Sequence, residues 1–152
     1  MPQFFYIRVK QAKDTGFFTL NAQGGGAPYA GQNIILWQQE TGTSAANELW
    51  QLQMTPSSNT TPYPTGTIAT AANPNLVLGL GPTDGDGYTT VVICTKNTSD
   101  SSQLWELHPG YVPGEPEYGV IVNRQTQQAL TVYYASIQDG TQIITYPEPL
   151  GR

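Results

Sequence analysis

The sequence predicts an all-β domain made of three similar units, each of about four short strands. The segment 47–52, Asn-Glu-Leu-Trp-Gln-Leu, returns as 102–107, Ser-Gln-Leu-Trp-Glu-Leu. Its alternation of polar and apolar residues is typical of a half-buried strand, and no stretch repeats apolar residues at the helical period. Internal repetition on this scale determines the whole fold, so the chain is best described unit by unit.

The segments upstream of the two tryptophans repeat as well. Each unit has an apolar strand, a turn with glycine and a second apolar strand, and Gly31, Gly87 and Gly140 mark the same turn. We therefore expect a single domain of three units, about 1–58, 59–112 and 113–152.

The strands follow in order along the chain. The first unit is predicted to contain strands at 4–9, 17–22, 34–38 and 48–53, with the first two joined by a turn that carries Asp14 and Gly16. The second unit is predicted to contain 66–70, 75–80, 90–94 and 102–107, and the third 118–123, 129–133 and 141–146. Loops rich in Pro, Ser, Asn, Thr and Gly separate the units at 54–65 and 109–116.

The third unit lacks the tryptophan strand that closes the other two. The spacing from Trp37 to Trp50, applied from Tyr146, would place that strand near ~159. The sequence thus represents a fragment or a shortened domain, or the last edge is closed by something else, such as a partner chain.

Charged residues are unusually sparse. They make up 11% of the chain, against roughly 25% in an average domain. The net charge of -5 argues against nucleic acid as a partner and against a basic patch that binds anionic membranes. No apolar run approaches the ~20 residues of a membrane span, so we expect no membrane insertion. We expect a soluble protein, cytoplasmic or released without a visible signal peptide.

Three units of four short strands, each closed by a polar-polar-Leu-Trp strand, resemble the ricin B-type β-trefoil lectins over almost the whole chain. The resemblance implies a β-trefoil in which the third unit lacks its last strand. One unit cannot bury its own apolar face, so three must share a core. The resemblance further implies binding of neutral glycans, most readily of the galactose or N-acetylgalactosamine type, without a cofactor or a metal.

The resemblance also assigns three roles to each pocket: an acid after the second strand, an aromatic at the end of the third, and an amide beside the tryptophan motif. An aromatic ring suits the C–H face of a pyranose, and amides, hydroxyls and carboxylates pair with sugar hydroxyls. The resulting candidates are Asn21, Trp37, Gln38 and Asn47 in the first unit, and Thr131 and Tyr146 in the third.

The pockets depart from the family pattern to different degrees. In the second unit Gly79 takes the acid's position, the aromatic's position lies near Cys94 or Thr95, and Ser102 replaces the amide, so that pocket is expected to be inactive. No unit has the acid, so all three pockets depart from the galactose-binding pattern. Trp37 follows Leu36 on the opposite face of the strand, so it points outward if Leu36 points inward, whereas Trp50 and Trp105 are expected in the core.

Other functions stay open. β-Trefoils also act as protease inhibitors or protein-interaction modules through an exposed loop, here 54–65 or 112–116, and as targeting domains of larger toxins or enzymes. Catalysis is not expected, because one His and one Cys provide little for a nucleophilic site or a zinc site. Weak pockets need several sites for useful avidity, so agglutination would require self-association into a homo-oligomer.

Overall fold

The fold is all-β, as predicted. The computed structural model describes residues 3–8, 18–24, 27–39, 47–56, 58–60, 62–83, 87–109, 119–133 and 138–147. Within these residues lie ten strands and one short 3-10 helix, Ser101–Gln103. The strands are β1 (Phe18–Ala22), β2 (Ile34–Gln38), β3 (Trp50–Thr55), β4 (Thr65–Thr70), β5 (Leu76–Thr83), β6 (Thr89–Thr95), β7 (Trp105–Pro109), β8 (Gly119–Asn123), β9 (Ala129–Val132) and β10 (Ile143–Tyr146).

Eight of the strands form one antiparallel sheet that curls back on itself. Its order is β3-β4-β5-β6-β10-β9-β8-β7, and β4 pairs with β7 as well as with β3 and β5. In the additional pairing Gly66 lies opposite Trp105. Strands β1 and β2 form a separate hairpin. Closure of this kind covers sheet edges that would otherwise be free to pair with other chains.

Three hairpins, β1–β2, β5–β6 and β9–β10, meet in a ring. Asn33 bridges to Val92, Ile35 bridges to Gln142, and Thr90 of β6 lies opposite Ile144 of β10. The turn glycines Gly31, Gly87 and Gly140 have φ of 92°, 90° and 90°, a conformation that glycine adopts without steric cost. The three glycines that the sequence marks as equivalent thus share one backbone conformation.

The core lies beneath this ring and is centred on two tryptophans. The indole of Trp50 donates to the carbonyl of Leu20 over 3.1 Å, and the indole of Trp105 donates to the carbonyl of Leu78 over 3.0 Å. Both side chains are at most 1% exposed. Replacing a buried aromatic of this size with Ala typically costs about 3–5 kcal/mol. The other fully buried apolar members are Leu20, Ala22, Ile34, Leu36, Ile68, Leu78, Val91, Ile93 and Ile143.

The repeated tryptophan motif begins its strand later than predicted. Asn47 and Glu48 lie in a turn before β3, and Ser101–Gln103 forms the 3-10 helix before β7. The side chain of Asp100 accepts a hydrogen bond from the backbone N–H of Ser102, which favours a helical turn over an extended strand. The predicted strands 48–53 and 102–107 are therefore observed as Trp50–Thr55 and Trp105–Pro109.

The first predicted strand is only partly formed. In place of a continuous strand at 4–9, the chain makes isolated bridges from Phe5 to Trp50 and from Arg8 to Thr19. The predicted turn with Asp14 and Gly16 and the loop 112–116 lie outside the described residues. No helix in the described part of the chain is both long and apolar enough to cross a membrane. The boundaries of the three units stay a prediction.

Candidate functional site

Trp37 lies at the end of β2 and faces outward. It is 38% exposed, whereas Leu36 beside it is 0% exposed and belongs to the core. Trp37 is opposite Thr19, and Ile35 is opposite Asn21. Because alternate residues of a strand share a face, Trp37, Ile35, Thr19 and Asn21 all lie on the outer face of the β1–β2 hairpin. The sequence therefore predicts the orientation of Trp37 from its neighbour Leu36.

The rest of this outer face is covered. Thr19, Asn21 and Ile35 are 0%, 3% and 7% exposed, so among these four residues Trp37 alone is open to solvent. The Oγ1 atom of Thr19 has no hydrogen-bond partner within the described residues. A buried hydroxyl without a partner is destabilising, and this one lies directly across the strand pair from Trp37.

Asn21 and Asn47, two of the predicted ligands, are brought together by the fold. The Nδ2 of Asn47 donates to the Oδ1 of Asn21 over 3.1 Å and to the carbonyl of Ala22 over 3.4 Å. The Nδ2 of Asn21 lies 3.4 Å from a carboxylate oxygen of Glu48, which is fully buried. Asn47 is 5% exposed, so both amides form a buried hydrogen-bonded floor, and Asn21 lies on the same hairpin face as Trp37. Their role as direct ligands stays a prediction.

Asp139 introduces a carboxylate that the sequence does not lead one to expect at this place. Its Oδ1 accepts a hydrogen bond of 2.8 Å from the backbone N–H of Gln38, the residue after Trp37. The turn that carries Asp139 docks on the edge of β2, because Leu36 donates to the carbonyl of Thr141 and Gly140 donates to the carbonyl of Leu36. An exposed acid from the third unit is thus bound to the backbone of the residue that follows Trp37.

Arg8 and Gln39 form a hydrogen-bonded pair on the other side of this hairpin, where Thr19 lies between Arg8 and Trp37. Arg8 lies opposite Thr19, which lies opposite Trp37, so the three residues form one row across the sheet. The Nε of Arg8 donates to the Oε1 of Gln39 over 2.8 Å, and Gln39 is on the same strand face as Trp37 by alternation. The same alternation puts the predicted ligand Gln38 on the opposite face, where it is exposed.

The equivalent position in the second unit is closed. Cys94 lies opposite Val77, and Gly79 lies opposite Val92, in the same register that relates Trp37 and Asn21. A methyl group added at Gly79 would lie 2.5 Å from the Sγ of Cys94, so the thiol fills the space that a side chain at residue 79 would need. Burial, and secondarily the charge of Asp100, raises the pKa of the Cys94 thiol.

The third unit also has an exposed aromatic residue, at the position equivalent to Trp37. Tyr146 is 46% exposed and lies opposite Ala129, and Thr131 lies opposite Ile144. The two predicted residues thus share one face, as Trp37 and Asn21 do. The hydroxyl of Thr131 donates to the carbonyl of Ala129 over 2.9 Å. Toward a ligand this hydroxyl can therefore only accept a hydrogen bond, through its lone pairs.

A second polar cluster, around Glu106, lies on β7. Glu106 is 3% exposed; its Oε2 accepts from Arg124 over 2.6 Å, and its Oε1 lies 2.8 Å from the Nε2 of His108. Burial of the carboxyl raises its pKa, but hydrogen bonds from His108, Arg124 and Gln127 and the charge of Arg124 outweigh burial, so the pKa of Glu106 lies below its usual value. These hydrogen bonds join β7 to the turn after β8, and we assign the cluster a structural role.

The fold is that of a β-trefoil domain. The family described as ricin-type β-trefoil lectin domain-like matches residues 46–146. The chain belongs to this family. Lectin-type domains of this family are generally non-enzymatic, and family and fold together support carbohydrate binding as the general class of function. A search of curated proteins found no match.

Solved structures support the fold independently. A designed threefold-symmetric protein, ThreeFoil, is 21% identical with a TM-score of 0.68, over 97% of this chain and 91% of its own. The C-half of an earthworm R-type lectin in complex with GalNAc is 19% identical with a TM-score of 0.63, over 99% of this chain and 92% of its own. A mosquitocidal holotoxin is 13% identical with a TM-score of 0.70, over 99% of this chain but only 16% of the toxin.

Proposed function

We propose that this protein is a lectin that binds a neutral pyranose of the galactose or N-acetylgalactosamine type reversibly on Trp37. The observation that carries the proposal is the exposed indole of Trp37, at 38%, on a hairpin face where its three neighbours are buried. An indole ring matches the apolar C–H face of a pyranose. The lectin-like family and the earthworm lectin structure with GalNAc support this class of ligand.

The polar groups around Trp37 have complementary roles. Asp139 takes the part of the acid that the strand position of Asn21 lacks, because a carboxylate accepts hydrogen bonds from sugar hydroxyls. Arg8 and Gln39 supply donors on the other side of the ring. Asn21 and Asn47 form the hydrogen-bonded floor. Any direct contact of these two residues with the sugar is made by amide atoms that can form a further hydrogen bond.

The third unit is proposed as a weaker site. Tyr146 and Thr131 repeat the geometry of Trp37 and Asn21, but the strand that would bring an amide has no counterpart in the described third unit. Each site forms a few hydrogen bonds and one stacked ring, which must compete with water. We therefore expect weak affinity for single sugars, and no bond is made or broken in the process.

A glycan-array screen tests the proposal directly. The wild-type chain is compared with Trp37→Ala and Trp37→Tyr, with free galactose, N-acetylgalactosamine and fucose as competitors. We expect specific binding by the wild type, loss of binding in Trp37→Ala and partial retention in Trp37→Tyr, because tyrosine keeps a stacking ring. Retained binding in Trp37→Ala would contradict the assignment of the site.

Matched variants separate loss of the site from loss of the fold. Tyr29→Ala removes an aromatic that is 61% exposed in the loop at the other end of the hairpin, and it should bind as the wild type does. Asp139→Asn should weaken binding while the melting temperature changes little. Trp50→Ala should unfold the domain, and it serves as the reference for the loss of a structural tryptophan.

A targeting domain within a larger toxin is the second candidate. The fold matches 16% of a mosquitocidal holotoxin, which shows that such a domain occurs as one part of a long toxin chain. Silence of the folded wild type across the array would favour this candidate, or a protein-binding trefoil, over a free-standing lectin.

A further inference from the structure

Thr19 has a buried hydroxyl that makes no hydrogen bond in the fold. Its side chain is 0% exposed, and its Oγ1 atom has no hydrogen-bond partner within the described residues. A hydroxyl that is buried without a partner has lost its water and gained nothing in return, so it destabilises the folded state. Because nearly all buried polar groups in native proteins are paired, this exception calls for a physical explanation.

The equivalent positions in the other two units have apolar residues. In the registers of the three hairpins, Val77 and Ala129 hold the position of Thr19. They are 0% and 1% exposed, so the fold buries this position in every unit. Valine has the branched shape of threonine with a methyl group in place of the hydroxyl. The fold therefore accepts an apolar side chain of the same shape here, and packing alone does not explain the hydroxyl of Thr19.

The hydroxyl occurs in the unit that has the exposed indole. Thr19 and Trp37 lie directly opposite each other, and such cross-strand partners have Cβ atoms about 4.5–5.5 Å apart on one face of the sheet. Trp37 is 38% exposed, whereas Asn21 and Ile35 on the same face are 3% and 7% exposed. The unpartnered hydroxyl is thus the direct neighbour of the residue that carries the proposed sugar site.

The side chains across from Thr19 on both sides are long and lie at the surface. Arg8 bridges to Thr19 from one side and Trp37 pairs with it from the other, and both are exposed. Exposed side chains change rotamer within picoseconds to nanoseconds. A turn of the Trp37 side chain can therefore open a path to the Thr19 hydroxyl while the β1–β2 hairpin stays paired.

We propose that the hydroxyl of Thr19 is a direct ligand of the sugar in the Trp37 site. The indole of Trp37 turns to stack on the pyranose, and the same movement uncovers Thr19, whose Oγ1 forms a hydrogen bond with a hydroxyl of that sugar. A threonine hydroxyl can donate one hydrogen bond and accept others, so it pairs with a sugar hydroxyl in either direction. This role of Thr19 rests on the proposed lectin function, and it accounts for a buried hydroxyl where valine fits.

Two substitutions of Thr19 separate binding from stability. Thr19→Val keeps the shape and removes the hydroxyl, so it should raise the melting temperature and weaken binding of the best array glycan roughly five- to tenfold, the loss of about one hydrogen bond. Thr19→Ser keeps the hydroxyl and removes a buried methyl group, so it should lower the melting temperature and retain most of the binding. Isothermal titration and thermal unfolding measure the two effects.

Val77→Thr is the matched control. It places a hydroxyl at the equivalent buried position of the second unit, beside Cys94 instead of an exposed indole. It should lower the melting temperature, because the added hydroxyl is buried without a partner, and it should leave the affinity for the glycan unchanged.

The outcomes distinguish the role of Thr19 from the lectin proposal. If the wild type binds a glycan and Thr19→Val binds it equally well, the role of Thr19 is overturned and the lectin proposal stands. Equal losses of binding in Thr19→Val and Thr19→Ser would assign the effect to packing, and a lower melting temperature in Thr19→Val would show that the hydroxyl stabilises the free protein; either result would overturn the proposal. Silence of the wild type toward every glycan would overturn the lectin proposal and the role of Thr19 with it.

Discussion

Trp37 and Cys94 hold the same position in two hairpins, and the difference between them decides whether a pocket is open. Trp37 lies opposite Thr19 and projects outward, whereas Cys94 lies opposite Val77 and its thiol extends over Gly79. The raised pKa of the Cys94 thiol keeps it protonated at neutral pH, so it acts as a small apolar group. We therefore expect the second unit to lack a sugar site for a reason of packing.

We expect Gly79→Ala to destabilise the domain by about 1–3 kcal/mol, because an added methyl group overpacks the site. The nearest atom would be the Sγ of Cys94 at 2.5 Å. In the double variant with Cys94→Ala that atom is gone, and the nearest remaining atom of residue 94 is its Cβ at 3.3 Å. Urea unfolding of both single variants and the double variant should give a favourable coupling of about 0.5 kcal/mol or more. Additive effects would contradict the contact.

The sequence predicts some residues of the site and not others. The outward direction of Trp37 follows from local alternation with Leu36, which needs no knowledge of the fold. Asp139 lies 101 residues from Gln38 in sequence, and it reaches the backbone N–H of Gln38 only because the hairpins meet in a ring. Arg8 is placed by a bridge to Thr19. Contacts between distant segments leave no local pattern, so these two neighbours could not be predicted.

At the scale of elements, the hydrophobic pattern predicts strand existence better than strand ends. All strands from β1 to β10 overlap predicted ones, because apolar positions recur at the strand period. The tryptophan strands start later than predicted. In the second unit the side chain of Asp100 accepts from the backbone N–H of Ser102 and favours the 3-10 turn, and in the first unit the side chain of Asn47 bonds across to Asn21 and Ala22. Side-chain capping of this kind competes with extended structure and is hard to weigh from sequence.

Glu106 links β7 to the turn after β8 and should make stability depend on pH. The pKa of Glu106 is lowered in the folded state. Its contribution to the free energy of unfolding is therefore fully present above the unfolded pKa of about 4.3, and it is lost as pH falls through the folded pKa. We expect the free energy of unfolding to fall below about pH 5 in the wild type, and to fall less steeply in Glu106→Gln.

The measurement is urea unfolding at a series of pH values, with Asp139→Asn as the control. Asp139 is an exposed acid on a turn, whereas Glu106 is buried between Arg124 and His108. The control should therefore keep the pH dependence of the wild type. If the free energy of unfolding depends on pH equally in Glu106→Gln and in the wild type, the ion pair with Arg124 is not the cause of the pH dependence.

At the scale of the molecule, threefold repetition provides three equivalent surfaces with unequal chemistry. The first has the exposed indole of Trp37, with Asp139 bound to the backbone of Gln38 and Arg8 bonded to Gln39. The second is closed by Cys94, and the third has Tyr146 opposite Ala129. Repetition in the sequence predicts the equivalence of the surfaces. It does not predict their neighbours, because each surface borders a different turn of the ring.

This inequality predicts the valency of the protein. We expect isothermal titration with the best array ligand to give about one strong site per chain, because only the first surface combines an exposed indole with flanking polar groups. Tyr146→Ala should leave that site unchanged, whereas Trp37→Ala should remove it. Two equal sites per chain, one lost in each variant, would instead show that Tyr146 needs no amide partner.

A monomer with one site cannot cross-link cells. Agglutination by the wild type should therefore be accompanied by an oligomer in native mass spectrometry. Agglutination by a strict monomer would refute the single-site assignment.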